Sequence, residues 1–380
     1  MKLQVFEMER WQSTWENRVE YNLSESGVHP ITVGELLGGG DVEFLGRSLG
    51  YVQTNGSEEL RREIAAIYPK ATVDNVLVTN GSSEANFVAV WSFLERNAEV
   101  AVMLPNYMQI WGLAKTFQAR VKPFRLNETH GEWKLDIPSL KRAVGRRTRL
   151  IAVCNPNNPT GAVMRDETVD EICDIARKVD AWILSDEVYQ GAELDGATTP
   201  TFWGRYKKVI VVNGLSKAYG LPGLRIGWIA TTRDLAQKLW SYHDYTTICP
   251  TALSDYLARK ALKPEMRAKI LARTKKILQA NLPIIKDWVE QHRDNLSFVP
   301  PKAGAIAYLK YKLKINSSRF AERLLDEKST LIVPGDQFGM DGYLRIGYGA
   351  PREYLTGGLN RISELVEQIK KDQDSSSKIL

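Results

Sequence analysis

The sequence predicts an α/β protein: a mostly parallel sheet sandwiched by helices, with a smaller α+β domain after it. Three observations lead there. Short apolar, β-branched runs alternate with longer stretches of helical periodicity through the middle of the chain, the pattern of parallel strands joined by crossover helices. From about Lys263 the pattern changes to one long charged helix followed by short strand-like segments. The length, 380 residues, exceeds what one hydrophobic core usually serves, so about two domains are expected.

Strands are expected at 76–79, 100–104, 150–154, 182–186, 209–213 and 226–230, apolar runs mostly closed by Gly, Asn or Pro. Between them, Phe87, Val90, Trp91 and Leu94 fall at i, i+3, i+4 and i+7, and Val169, Ile172, Cys173 and Ile175 form a similar stripe. Such stripes are the core-facing sides of helices. A long helix is expected through 263–288, then strands at 296–299, 305–309 and 343–346. The chain thus divides into a large domain over 31–262, a small C-terminal domain over 263–370 and a frayed tail at 371–380.

Composition narrows the function classes. A hydrophobic share of 43% with 25% charged residues is that of a soluble globular protein, and no apolar run approaches the ~20 residues of a membrane span. Acidic residues interrupt the N-terminus too early for a signal-peptide core, so a cytoplasmic location is expected. The net charge of +6 comes from Lys and Arg interleaved with Asp and Glu, without an aromatic-studded basic stripe, which argues against nucleic acid. Cys154, Cys173 and Cys249 lack any metal-ligand or disulfide spacing and read as small buried hydrophobes, so no metal is expected.

The chemistry concentrates at strand ends, where open α/β sheets collect ligands. In the 216–227 stretch Lys217 precedes Arg225 by eight residues across a glycine-rich turn. A partly desolvated lysine there can lose its proton and attack a carbonyl, although a lone loop lysine is ordinarily just solvated. Gly81-Ser82-Ser83 directly precedes the helix starting near Glu84, so free N–H groups, two hydroxyls and the positive helix end converge as a phosphate cradle; either serine could also be a plain N-cap. Arg225 offers a planar fork for phosphate oxygens and Ser216 one more hydroxyl. Asp186, at the end of an apolar strand, can accept a charge-assisted hydrogen bond or can cap a following helix. Arg345 lies in an otherwise apolar strand, where either a ligand carboxylate or a structural ion pair must balance it.

Four further motifs, in order, complete the pattern: Tyr51 opening Tyr-x-x-x-x-Gly-x-x-x-Leu-Arg up to Arg61, then the 79–85 run Thr79-Asn80-Gly81-Ser82-Ser83-Glu84-Ala85, then Asn155-Pro156-Asn157-Asn158-Pro159-Thr160-Gly161, then Ser185-Asp186-Glu187-Val188-Tyr189. Together with the Ser216-Lys217 segment they resemble the class I/II aminotransferase superfamily, pyridoxal-phosphate enzymes of fold type I, over residues 45–350. The resemblance implies an aspartate aminotransferase-like large domain, with residues 1–30 packed on the small domain. It implies pyridoxal 5'-phosphate as cofactor, anchored by Lys217, which then serves as general base at the substrate Cα. It places Asp186 on the pyridinium nitrogen, Tyr189 and Asn158 on the phenolic oxygen, and Tyr107 against the ring. Tyr107 could equally be packing. Ser82, Ser83, Ser216 and Arg225 would hold the phosphate, joined by Tyr51 from a neighbouring subunit, which implies a homodimer with shared active sites. Arg345 would grip the substrate carboxylate.

Ahead of these motifs, Leu23-Ser24-Glu25-Ser26-Gly27-Val28-His29-Pro30 departs from the common aminotransferase pattern and resembles the capreomycidine synthase-like branch, which dehydrates and cyclises a hydroxylated arginine. That likeness puts Gly27 and His29, with Asn158, in the substrate pocket. Glu25 would meet a cationic substrate group; His29 is either a proton-transfer group or a surface residue. The expected activity is transfer of the amino group of an α-amino acid to a 2-oxo acid. Elimination, replacement or cyclisation on the same fold is the alternative. A non-catalytic ligand-sensing relative is the third reading, disfavoured because no helix-turn-helix module precedes the domain and every chemical position is filled.

Overall fold

A computed structural model describes residues 3–39, 42–196 and 198–377. The short strand β1 (Tyr21–Asn22) is followed by the eight strands of the main sheet: β2 (Val76–Thr79), β3 (Glu99–Leu104), β4 (Arg120–Thr129), β5 (Glu132–Leu135), β6 (Thr148–Cys154), β7 (Trp182–Asp186), β8 (Val209–Gly214) and β9 (Gly227–Ala230). Their order is β2-β9-β8-β7-β6-β3-β4-β5. The run β8-β7-β6-β3-β4 is parallel, β9 and β5 join its two ends antiparallel, and β2, antiparallel to β9, runs in the direction of the parallel strands.

Strand alternation explains why helices cover both faces. Leu150 and Ala152 of β6 join Leu184, Ile210 and Ile229 in one core, against the helices Ser82–Phe93 and Arg233–His243. Ile151 and Val153 point the other way, into a core with Ile183, Val211 and the Val169-Ile172-Cys173 stripe of the helix Asp166–Val179. Both faces of β6 are apolar because both are buried, as expected of a parallel sheet. Truncating Ile151 to Ala would therefore cost about 2–5 kcal/mol.

A second, antiparallel sheet follows the helix Pro264–Gln291 and comprises β10 (Leu296–Phe298), β11 (Ile306–Tyr311), β13 (Val333–Pro334) and β14 (Tyr343–Gly347), in the order β10-β11-β14-β13. Between them β12 (Thr330–Leu331) pairs in parallel with β1. The N-terminal segment continues along this side, with Leu23 N–H donating to Leu331 O at 2.8 Å and Leu23 O accepting from Gly347 N–H at 2.7 Å. A Cβ on Gly347 would run into the carbonyl oxygen of Glu25, so only glycine permits this approach.

The expected strands exist with ends moved by a residue or two, and the expected 263–288 helix runs on to Gln291. The hairpin β4–β5 was not anticipated. Lys122, Pro123 and Arg125 break its apolar pattern, and its turn is made by His130 and Gly131, both at positive φ (51° and 74°). The expected frayed tail is corrected: the last helix, Arg352–Ser377, carries the chain through 371–377, and residues 378–380 lie outside the described ones.

Candidate active site

The parallel strands all end on one edge of the sheet, and the loops leaving them surround a cavity of about 380 Å³. Ten of the expected site residues line it: Ser82, Ser83, Tyr107, Asn158, Asp186, Tyr189, Ser216, Lys217, Arg225 and Arg345.

Lys217 follows β8 after a turn closed by Leu215 N–H donating to Ile226 O. Its ammonium donates to Glu25 Oε1 at 2.8 Å, and that oxygen also accepts the N–H groups of Ser26 and Gly27. Burial works to raise the Glu25 carboxyl, but the Lys217 charge and these hydrogen bonds pull it down to about 2. Burial likewise opposes the charge on Lys217, yet Glu25 and Tyr189 outweigh it and hold the ammonium above its ordinary value.

Asp186 ends β7 with no helix after it, which removes the N-cap alternative. Its carboxylate accepts from Asn86 Nδ2 at 3.1 Å and Val188 N–H at 3.3 Å, and burial pushes it up to about 6. A buried carboxylate so disfavoured as an anion suits a protonated ring nitrogen, which would restore its charge balance.

At the cradle, Gly81 takes the N-cap position at φ 91°, so Ser82 and Ser83 are the first two residues of the helix rather than its caps. A Cβ on Gly81 would strike the Arg225 guanidinium, which lies over the turn and donates from Nη1 to Ser216 Oγ at 3.2 Å. First-turn N–H groups lack intrahelical acceptors, so this corner could hold an anion.

Arg345 in β14 is 1% exposed. Nη1 donates to Asn158 Oδ1 at 3.0 Å and Nη2 to Ser24 O at 2.6 Å, while Nε has no partner among the described residues. No carboxylate is among its described partners, so the structural ion pair is not what holds it, and burial drags the guanidinium below its ordinary value. Burial pushes the neighbouring Tyr189 hydroxyl up to about 12, against the pull of Lys217 and Arg345. An anion anchor, a carboxylate for a ring N–H and an amine facing the same cavity fit pyridoxal phosphate.

Three expected residues do not line the cavity. Tyr51 is 88% exposed on another face, beside a separate cavity of about 620 Å³. The His29 ring is occupied with Gly349 O at 3.0 Å, and Gly27 contributes its backbone N–H to Glu25. Conversely, Glu9, Gln12 and Glu16 line the cavity from the first helix, Glu7–Trp15, and its end, with the Glu9 carboxylate accepting from Tyr107 OH at 2.8 Å. Burial, then Glu25 and Glu9, raise Glu16. Their i, i+3, i+7 spacing was a readable signal of one shared helix face, as was Asn86 one turn beyond Ser82.

Residues 45–362 match the aminotransferase class I and II family. A capreomycidine synthase of Streptomyces vinaceus is 31% identical over 94% of this chain and 92% of its own, and an aspartate aminotransferase of Thermotoga maritima is 30% identical over 86% of each. The crystal structure of a PLP-dependent aminotransferase from Streptococcus suis superposes with a TM-score of 0.91 at 33% identity, covering 97% of this chain and 99% of that one. Lys217, Asp186 and Arg345 meet in one cavity at the strand ends of this fold, within the matched span, and the chain belongs to the class I and II aminotransferase family.

Proposed function

We infer that this chain is a pyridoxal-phosphate aminotransferase that passes the amino group of an α-amino acid to a 2-oxo acid. The observation that carries the inference is the convergence of the Lys217 amine, the buried Asp186 carboxylate and the buried Arg345 fork on one cavity. Ser82, Ser83, Ser216 and Arg225 would hold the phosphate, Asp186 the ring nitrogen, Tyr189 and Asn158 the ring oxygen, and Tyr107 a ring face. When bound, the cofactor supplies a carbonyl for the amino group and an electron sink for the substrate Cα.

The protein's own part is positioning and proton transfer. Arg345 takes the substrate carboxylate on its planar fork, fixing the Cα in orientation. Lys217, once its proton has passed to solvent and it stands beside Glu25 as a neutral amine, would take the proton from the substrate Cα. Asn86 keeps the Asp186 carboxylate oriented throughout.

Elimination or cyclisation is a second reading. Its support is the near full-length likeness to a capreomycidine synthase together with the acidic wall of Glu9, Glu16 and Glu25, which suits a cationic side chain better than a dicarboxylate. The two readings separate on one experiment. Amino acids are added singly to the yellow enzyme without a 2-oxo acid, and the amine form of the cofactor is measured. Its stoichiometric appearance supports transamination; ammonia or a cyclic product without it would falsify that reading.

Tyr51 at 88% exposed and Tyr245 at 82%, with exposed Leu45 and Leu49, support a homodimer in which Tyr51 reaches the partner's phosphate site. A sedimentation mass of one chain would rule this out. Three free cysteines support a reducing, cytoplasmic setting, which localisation of a tagged chain can check.

A further inference from the structure

We propose that Glu84 is a positioning residue for the cofactor phosphate, acting by pinning the turn before the phosphate cradle to the chain segment 243–249. The proposal rests on the reading that the phosphate sits at Ser82 and Ser83. Glu84 is the third residue of the same helix but does not line the cavity. Its carboxylate turns away from the cradle and spends its acceptor capacity on the support behind it.

Glu84 Oε2 accepts the backbone N–H of Asn80 at 2.6 Å, the residue just ahead of Gly81. Oε1 accepts the hydroxyls of Thr246 and Thr247, the second at 2.7 Å. The buried imidazole of His243 places Nε2 3.4 Å from Oε2. Its Nδ1 has no partner among the described residues, whereas Nε2 faces Glu84 and, at 3.3 Å, Thr247 Oγ1. The link also runs in reverse: Asn80 Nδ2 donates to Thr247 Oγ1 at 2.6 Å and to Cys249 O at 3.0 Å. Two segments some 165 residues apart in sequence are thereby joined at both ends.

Two features show that this joint fixes a conformation rather than merely fills space. Ile248, a β-branched residue, stands at φ 70°, where such a backbone does not settle unaided, and it faces a turn whose Gly81 takes φ 91°, which glycine adopts freely. And the carboxylate is a permanent anion: burial alone would raise it, but His243, Thr246, Thr247 and the Asn80 N–H bring it to about 2. An anion near a phosphate is tolerable because its charge is committed to these donors. What the cradle gains is a fixed direction for the Ser82 and Ser83 N–H groups, the preorganisation that anion binding requires.

The test compares Glu84→Gln with wild type by titrating cofactor-stripped protein with pyridoxal phosphate and, separately, with pyridoxal, which lacks the phosphate. The amide of Gln cannot accept from Asn80 N–H and the Thr hydroxyls together. We expect the affinity for pyridoxal phosphate to fall about tenfold to a hundredfold, as for loss of a charge-assisted hydrogen bond. Pyridoxal affinity should stay within about twofold, and the ³¹P resonance of the bound phosphate should move. An equal loss for both ligands marks Glu84 as merely structural, and no loss for either also overturns the proposal. A Thr246→Ala/Thr247→Ala double variant keeps the bond from Asn80 N–H to Glu84 while removing the threonine hydroxyls, the acceptor of Asn80 Nδ2 on Thr247 included, and tests the same ratio should Glu84→Gln not fold. If wild type binds neither ligand, the cofactor reading itself fails, a result distinct from the others.

Discussion

Replacing Asp186 with Asn should make the cofactor-free protein more stable while disabling the enzyme, and the size of the first effect follows from burial. The carboxyl is pushed from 3.8 up to about 6 because burial outweighs what Asn86, Val188 and the Lys217 charge give back. A carboxyl whose folded pKa lies above its unfolded one contributes stability below pH 3.8 that is lost as pH rises through 6. The whole interval is worth about 3 kcal/mol, of which about 1.4 kcal/mol falls between pH 5 and pH 8. Asn at 186 stays neutral across that range and stays satisfied. Asn86 Oδ1 has no partner among the described residues, so rotating the Asn86 amide lets it accept from the new Asn. Urea melts of the cofactor-stripped proteins, followed by tryptophan fluorescence at pH 5 and pH 8, measure the difference. Glu187, raised by burial to about 7, titrates in both proteins and largely cancels. The variant's advantage should grow by about 1.4 kcal/mol over this range, with turnover of the loaded enzyme down about a hundredfold or more. If the variant gains nothing at pH 8, or a gain that ignores pH, burial is not what holds Asp186 up.

Two further substitutions probe the other anchors. Glu25→Gln removes the charge that keeps Lys217 protonated, so cofactor incorporation at neutral pH should speed up and its pH midpoint should move downward; stopped-flow absorbance detects this, and an unmoved or higher midpoint contradicts the ion pair's role. Arg345→Lys keeps the charge but loses the fork that serves Asn158, Ser24 and a carboxylate together. KM for the amino acid should rise about tenfold or more, with a smaller change for the matching decarboxylated amine; unchanged KM would show that the carboxylate binds elsewhere.

The residues legible in the sequence share one property: each lies within a few positions of a strand end or a helix start. Asp186 closes β7, Lys217 follows β8, Ser82 and Ser83 open a helix, and Arg345 interrupts an apolar strand. Local chemistry marks such positions, and strand order then brings them together without further information. The hairpin β4–β5 escaped because its outer face is charged and carries a proline, so alternation was masked. Glu9, Gln12 and Glu16 escaped for another reason. Their helix looks like any charged surface helix until packing against the small sheet, through Trp11 Nε1 donating to Ile332 O at 2.8 Å, decides which face meets the cavity. His29 shows the converse: a chemically apt residue whose ring is turned by tertiary packing onto Gly349 O.

The stretch 24–27 then acquires a meaning that its sequence did not carry. Ser24 O accepts from Arg345 while Glu25, its neighbour, accepts from Lys217, so the proposed carboxylate grip and the proposed reacting amine share one support. That support is fastened from below by Gln12 Nε2, which donates to both Ser24 O and Ser24 Oγ, and from the side by the close approach of Gly347 to Glu25. A substrate carboxylate drawing Arg345 toward itself must act on the Ser24 carbonyl, and through one peptide unit on the Glu25 carboxylate that sets the Lys217 proton. On the proposed roles, substrate binding and base activation would thereby be coupled through backbone rather than through the sheet. On the proposed roles, the strand-end residues would serve any substrate of the cofactor alike, whereas the 24–27 support and the acidic face of the first helix would be where one amino acid is told from another.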